Sequence, residues 1–105
     1  MGLMIEKDIQ GTTTIFKLKG ILDISTVNVI DRLLDETSEI KTLIYDFSEL
    51  EFLDSTGIGS IINSIYLSQE RKFYLKLVGM NELTDELFET VGVYRILEVI
   101  QREVI

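Results

Sequence analysis

The sequence contains no cysteine and no histidine. The first absence excludes disulfides, thiol nucleophiles and thiolate metal sites. The second removes the commonest general base and the commonest metal ligand, so a Ser-His-Asp triad cannot be built from this chain alone. Proline is missing as well, and no low-complexity tract, linker or internal repeat interrupts the chain. Cations are few: 10 Lys and Arg stand against 18 Asp and Glu, for a formal net charge of -8. Only Arg71 and Lys72 are adjacent. A phosphate backbone is held by clustered cations, so nucleic acid is not an expected partner. No uncharged apolar stretch is long enough to span a bilayer, so membrane insertion is not expected either. The opening MGLMIEKDI lacks the basic and apolar regions of a secretion signal, and Glu6 stands where a myristoylation site wants Ser or Thr. The chain reads as cytosolic.

What is present is a chain of 105 residues, 46% of them apolar. That is enough for a core, and one domain over 1–105 is expected. The run 12–20, TTTIFKLKG, is β-branched, aromatic and alternating, and predicts a strand ending at Gly20. A weaker strand is expected from Leu3 to Ile9, with Gln10-Gly11 as the hairpin turn. Ser25 is placed to cap a helix running to about Thr37, with Val27, Ile30 and Leu34 at helical spacing. TLIYDF at 42–47 predicts a buried strand. A second helix follows, with Ile58, Ile61, Ile62 and Ile65 on one face. FYLKLVG at 73–79 predicts another strand. Asn81 caps a third helix that ends at Gly92, and YRILEVI at 94–100 is expected to form a last strand. The alternation predicts an α/β fold: a mixed, mostly parallel sheet of four to five strands, an N-terminal hairpin, and helices packed on the sheet.

In such sheets, functional groups gather where strands end and helices begin. Two stretches fit, LDIST at 22–26 and LDSTGIG at 53–59. Each has an Asp followed closely by hydroxyls. Two glycines in the first turn of a helix cost about 1 kcal/mol each relative to alanine. Something other than helix formation favours small residues there. Ser55 can be read as a plain N-cap, but Asp54 and Thr56 are also good caps, so capping groups are over-supplied. Gly57 and Gly59 would leave backbone and hydroxyl open to another molecule, and a phosphate there would face the positive end of the helix dipole. Other motifs fail on required residues. An aspartic protease needs Gly one position earlier. A haloacid-dehalogenase-like phosphatase needs Asp where Thr56 stands, and a Walker loop needs a Lys that is absent. Asp23, Asp46 and Asp54 could be imagined around magnesium, but nothing in their spacing selects for a metal. Turn, cap and strand-end roles suit them better. No cofactor, metal or enzymatic activity is expected.

Gly20-x-Leu22-Asp23, followed about thirty residues on by FLDSTGIG at 52–59, resembles the STAS domain of anti-sigma factor antagonists. TLIYDF before the motif and VGVYRIL at 91–97 extend the resemblance over nearly the whole chain. Two departures stand out: Ile21 occupies a position where the family often has Glu, and the chain ends at Ile105, where many members continue into another helix. The resemblance implies that Ser55 is phosphorylated by an anti-sigma factor that is itself a serine kinase. It implies that the unmodified form binds this kinase and frees the sigma factor, and that a metal-dependent serine phosphatase resets the switch. Asp23, beside the acceptor, would support partner contact. Ser25, Asp54, Thr56, Gly57, Ile58 and Gly59 complete the expected contact surface. Two alternatives stay open: a STAS scaffold subunit of a stress-sensing or lipid-transport assembly, and a weak nucleotide-binding domain around 54–59.

Overall fold

A computed structural model of the chain describes residues 2–37 and 39–104. Strands β1 (Leu3–Gln10) and β2 (Thr13–Leu22) form an antiparallel hairpin. Gln10 pairs with Thr13, so the turn residues are Gly11 and Thr12 rather than Gln10 and Gly11. Gly11 has φ +65° and Thr12 keeps a negative φ. That is the type II′ pattern, with glycine at its first central position. Then follow α1 (Val27–Glu36), β3 (Thr42–Leu53), α2 (Ser55–Arg71), β4 (Tyr74–Val78), α3 (Glu82–Val91) and α4 (Val93–Val104). The sheet order is β1-β2-β3-β4, with β3 parallel to both of its neighbours. This is the expected mixed, mostly parallel α/β sheet, at four strands.

Alternation decides which face is covered. Phe16, Leu18 and Leu22 of β2, Leu43, Tyr45 and Phe47 of β3, and Leu75 of β4 point to one side. There they join Ile30 and Leu34 of α1, Ile58, Ile61 and Ile65 of α2, Phe88 of α3 and Val93 of α4 in one core. The Tyr45 hydroxyl is satisfied inside it by Ser64 Oγ at 2.8 Å, and burial pushes that phenol well above its ordinary pKa. The open face carries ion pairs: Lys17 with Glu49 at 3.1 Å, and Lys19 with both Glu6 and Glu49.

Three expectations are corrected. Residues 94–100 lie in helix α4, not in a strand. Val93, Ile96, Leu97, Ile100 and Gln101 recur at helical spacing and face inward, and that period outweighs the β-branched composition. Gly92, with φ 91°, closes α3 as foreseen, and its carbonyl accepts from Ile96 N–H, so the next helix starts at once. The cap position of α1 is Thr26 rather than Ser25, and it makes no side-chain cap. Asp46 is not a strand end. It lies inside β3, where pairing with β4 stops at Val78, and its Oδ1 accepts from Ser48 N–H at 2.9 Å.

Strand β3 also runs six residues beyond the expected Phe47, through two irregularities. Its register against β2 skips between Lys17–Asp46 and Lys19–Glu49, and again between Gly20–Leu50 and Ile21–Phe52. Each skip inserts an extra residue and flips the alternation, as β-bulges do. Leu50 is therefore buried, while Phe52, two residues on, is 54% exposed.

Candidate functional site

The ends of β2 and β3 lie side by side, Leu22 pairing with Leu53, so the two Asp-hydroxyl stretches become neighbours. Asp54 N–H donates to Leu22 O at 3.4 Å and ties them together. Gly57 explains why they can be so close. A Cβ there would stand 2.4 Å from Leu22 O and 2.7 Å from Leu53 Cδ1. The first turn of α2 thus rests directly on the end of β2, and only glycine fits. Around Gly59 nothing lies within 4 Å of such a Cβ, and the residue is exposed. The two glycines do different jobs: one lets the chain pack on itself, the other leaves a face bare.

The capping question is settled by geometry. Asp54 is the N-cap of α2, with extended backbone and Oδ1 accepting from Gly57 N–H at 2.9 Å. Ile58 N–H donates to Asp54 O. Ser55 is the first helical residue, exposed, and among the described residues its hydroxyl has no intramolecular partner. The N–H groups of Ser55 and Thr56 are left outside the helical ladder, as at any helix start. Thr56 is half-buried.

At the other junction the hydroxyls are spent internally. Asp23 Oδ1 accepts from Ser25 N–H at 2.9 Å and from Ser25 Oγ at 2.6 Å. Thr26 Oγ1 accepts from Asp23 N–H at 2.9 Å and donates to Ile21 O at 2.8 Å. Asp23 O accepts from both Thr26 and Val27 N–H at 3.0 Å. The Ser25 hydroxyl, first among several donors, holds the Asp23 carboxyl below its usual pKa. The turn is rigid and presents an ionised carboxylate.

Asp23, Ser25, Asp54, Ser55, Thr56 and Gly59 thus come together at one end of the sheet. Ile58 and Gly57 correct the expectation of a contact surface. Ile58 is only 8% exposed and belongs to the core. Gly57 is buried against Leu22, so both act through packing. Two residues escaped the sequence reading: Ile24, 75% exposed in the Asp23 turn, and Phe52, exposed by the second β3 irregularity. Ile24 could have been suspected, since no helical or strand period claims it. Phe52 could not, because simple alternation with Leu50 buries it. Among the described residues no three His, Cys, Asp or Glu converge as a metal site. A hollow of about 480 Å³ lies between β4 and α4 and draws no lining residue from either stretch.

This arrangement is a small α/β domain: a mixed sheet with a capped helix start that leaves a serine free beside an Asp turn. Residues 4–104 match the STAS domain, and the chain belongs to that family. It is similar to the anti-sigma F factor antagonist of Paenibacillus polymyxa, 24% identical over 107 residues that cover 99% of this chain and 92% of the relative. It is also similar to the anti-sigma-B factor antagonist of Listeria monocytogenes serovar 1/2a, 28% identical over 76% of this chain and 72% of that one. In fold it resembles the anti-sigma factor antagonist SpoIIAA in its unphosphorylated form, with TM-score 0.73 and 19% identity over 86% of this chain and 82% of that chain. The phosphorylated form of Bacillus SpoIIAA gives TM-score 0.68 and 20% identity over 95% and 97%. A sulfate transporter family protein from Wolinella succinogenes gives TM-score 0.76 and 18% identity over 87% and 75%. No helix among the described residues is long and apolar enough to cross a membrane.

Proposed function

We propose that this chain is a cytosolic, non-enzymatic anti-sigma factor antagonist. Its unmodified form binds an anti-sigma serine kinase and releases the sigma factor. Phosphorylation of Ser55 by that kinase ends the binding, and a metal-dependent serine phosphatase restores it. The observation that carries the reading is the division of labour at the start of α2: Asp54 caps the helix, so the exposed Ser55 hydroxyl remains free to react. Two relatives named as antagonists of anti-sigma factors support it.

A phosphate on Ser55 adds roughly -1.5 to -2 charge. Next to the helix N-terminus its interaction with the dipole is favourable, at most ~2 kcal/mol, so the fold has no reason to open. SpoIIAA gives solved structures close to this fold in both its unphosphorylated and phosphorylated forms, in keeping with that estimate. Across an interface the sign reverses. A partner carboxylate ~6 Å away at an effective dielectric near 20 costs ~3 kcal/mol per unit charge, or ~5 kcal/mol for the dianion. That is more than three decades of affinity. Repulsion at the interface therefore outweighs rearrangement within the domain.

The experiment is titration calorimetry of the chain against its anti-sigma kinase with ADP. Wild type should bind, and Ser55→Glu should bind far more weakly. Equal affinities would remove the switch.

A further inference from the structure

The reading above accounts for Ser55 and its capping, but leaves Ile24 and Phe52 without a task. Both are large, apolar and more than half exposed, and both stand at the end of the sheet where Ser55 stands. Phe52 is three residues before Ser55, so their Cα atoms are within roughly 11 Å of each other. Ile24 is linked through Leu22 O and the Asp54 N–H that donates to it, which bounds its Cα to within about 15 Å of that of Ser55. An enzyme that transfers a phosphoryl group to Ser55 must touch its oxygen. A protein interface of ordinary size covers about 800 Å² per partner, a disc of about 16 Å radius. Centred on Ser55, a disc of that radius reaches the Cα positions of both residues.

Their setting suits anchors. Ile24 sits at the apex of a turn held by Asp23, Ser25 and Thr26 through hydrogen bonds of 2.6–3.0 Å. Phe52 is held outward by the bulged register of β3. The backbone that carries each side chain is already held in place, and this pre-organisation lowers the cost of association. Aromatic and aliphatic side chains fixed near the centre of an interface are the ones whose truncation is felt.

We infer that Ile24 and Phe52 are two apolar anchors flanking Ser55 that set the affinity of the phosphorylating partner, whose matching surface carries apolar pockets on either side of its phosphoryl-transfer cleft. This rests on the reading of Ser55 as the acceptor. The anchors act equally before and during phosphoryl transfer, so they lower KM and leave kcat alone.

The test is the initial rate of Ser55 phosphorylation in an extract of the source organism supplied with ATP. It is read by mass spectrometry over a range of chain concentrations. Wild type, Ile24→Ser, Phe52→Ser and Ile24→Leu are compared. Each Ser variant should raise the apparent KM about tenfold or more with kcat unchanged, and Ile24→Leu should stay within about twofold of wild type. An unchanged KM for either Ser variant, or a fall in kcat at constant KM, overturns the inference and leaves the acceptor reading standing. No phosphate on Ser55 of the wild-type chain overturns both. The three variants carry changes only at exposed positions, and Tm values matching that of wild type would confirm that they fold alike.

Discussion

The β2–α1 and β3–α2 junctions look alike in sequence, Leu-Asp-Ile-Ser-Thr against Leu-Asp-Ser-Thr-Gly, and they end up opposite in chemistry. In both, the Asp accepts a backbone N–H from its own turn. At the first, Ile24 separates Asp from Ser, so the Ser25 hydroxyl reaches back to Asp23 and Thr26 folds under the turn to Ile21 O. Every hydroxyl is consumed, and the product is a stiff, charged turn. At the second, Ser55 follows Asp54 immediately and enters the helix as its first residue. Among the described residues its hydroxyl and that of Thr56 make no hydrogen bond, and of the two Ser55 is the exposed one. The spacing between Asp and Ser, one residue against none, separates a hydroxyl tied into its turn from one left exposed.

The contrast can be broken by substitution, and the largest effect is expected at the two serines. Ser55→Ala should abolish phosphate incorporation by the anti-sigma kinase. Ser25→Ala should leave the phosphorylated site unchanged, as peptide mapping would show. Next come the glycines of α2. Gly57→Ala forces a Cβ onto Leu22 O and should destabilise the fold by about 1–3 kcal/mol. Gly59→Ala meets nothing and should stabilise it by up to about 1 kcal/mol through helix propensity. Urea midpoints at constant slope would show the opposite signs. Smaller again is the cap: Asp54→Ala should cost about 1 kcal/mol by the same measurement.

The smallest effect concerns Asp23. Its folded pKa is lowered, first by the Ser25 hydroxyl. A lowered carboxylate pKa contributes stability that is present above the unfolded value near 3.8 and is lost as pH falls through the lower folded value. Carboxyl-carbon NMR titration should place Asp23 below an ordinary aspartate, and Ser25→Ala should move it back up. At neutral and alkaline pH that contribution is fully present and should not vary with pH.

Much of this was legible. The hairpin, the cores of all four strands and the caps at Asn81 and Gly92 follow from periodicity and turn chemistry, which are local, and the nearness of Asp23 to Ser55 follows from the family resemblance. What was hidden depends on contacts between distant residues. Residues 94–100 read as a strand because Ile96, Val99 and Ile100 favour strands by composition, and the inward face of Val93, Leu97 and Gln101 shows only once α4 packs on α2 and on β4. There Gln101 Oε1 accepts from Leu75 N–H at 2.9 Å, giving the edge strand a side-chain partner where a fifth strand had been expected. The separate duties of Gly57 and Gly59 depend on where Leu22 lies. The exposure of Phe52 depends on an extra residue in β3 that no pattern in β3 alone announces.

The most direct measurement is the identity of the modified residue in the intact wild-type chain after incubation with its anti-sigma kinase and ATP, read by fragmentation mass spectrometry. The hydrogen bonds that hold Ser25 and Thr26, and the half-burial of Thr56, predict a single phosphate on Ser55, with those three residues unmodified. A phosphate on any of those three in place of Ser55 would contradict the account.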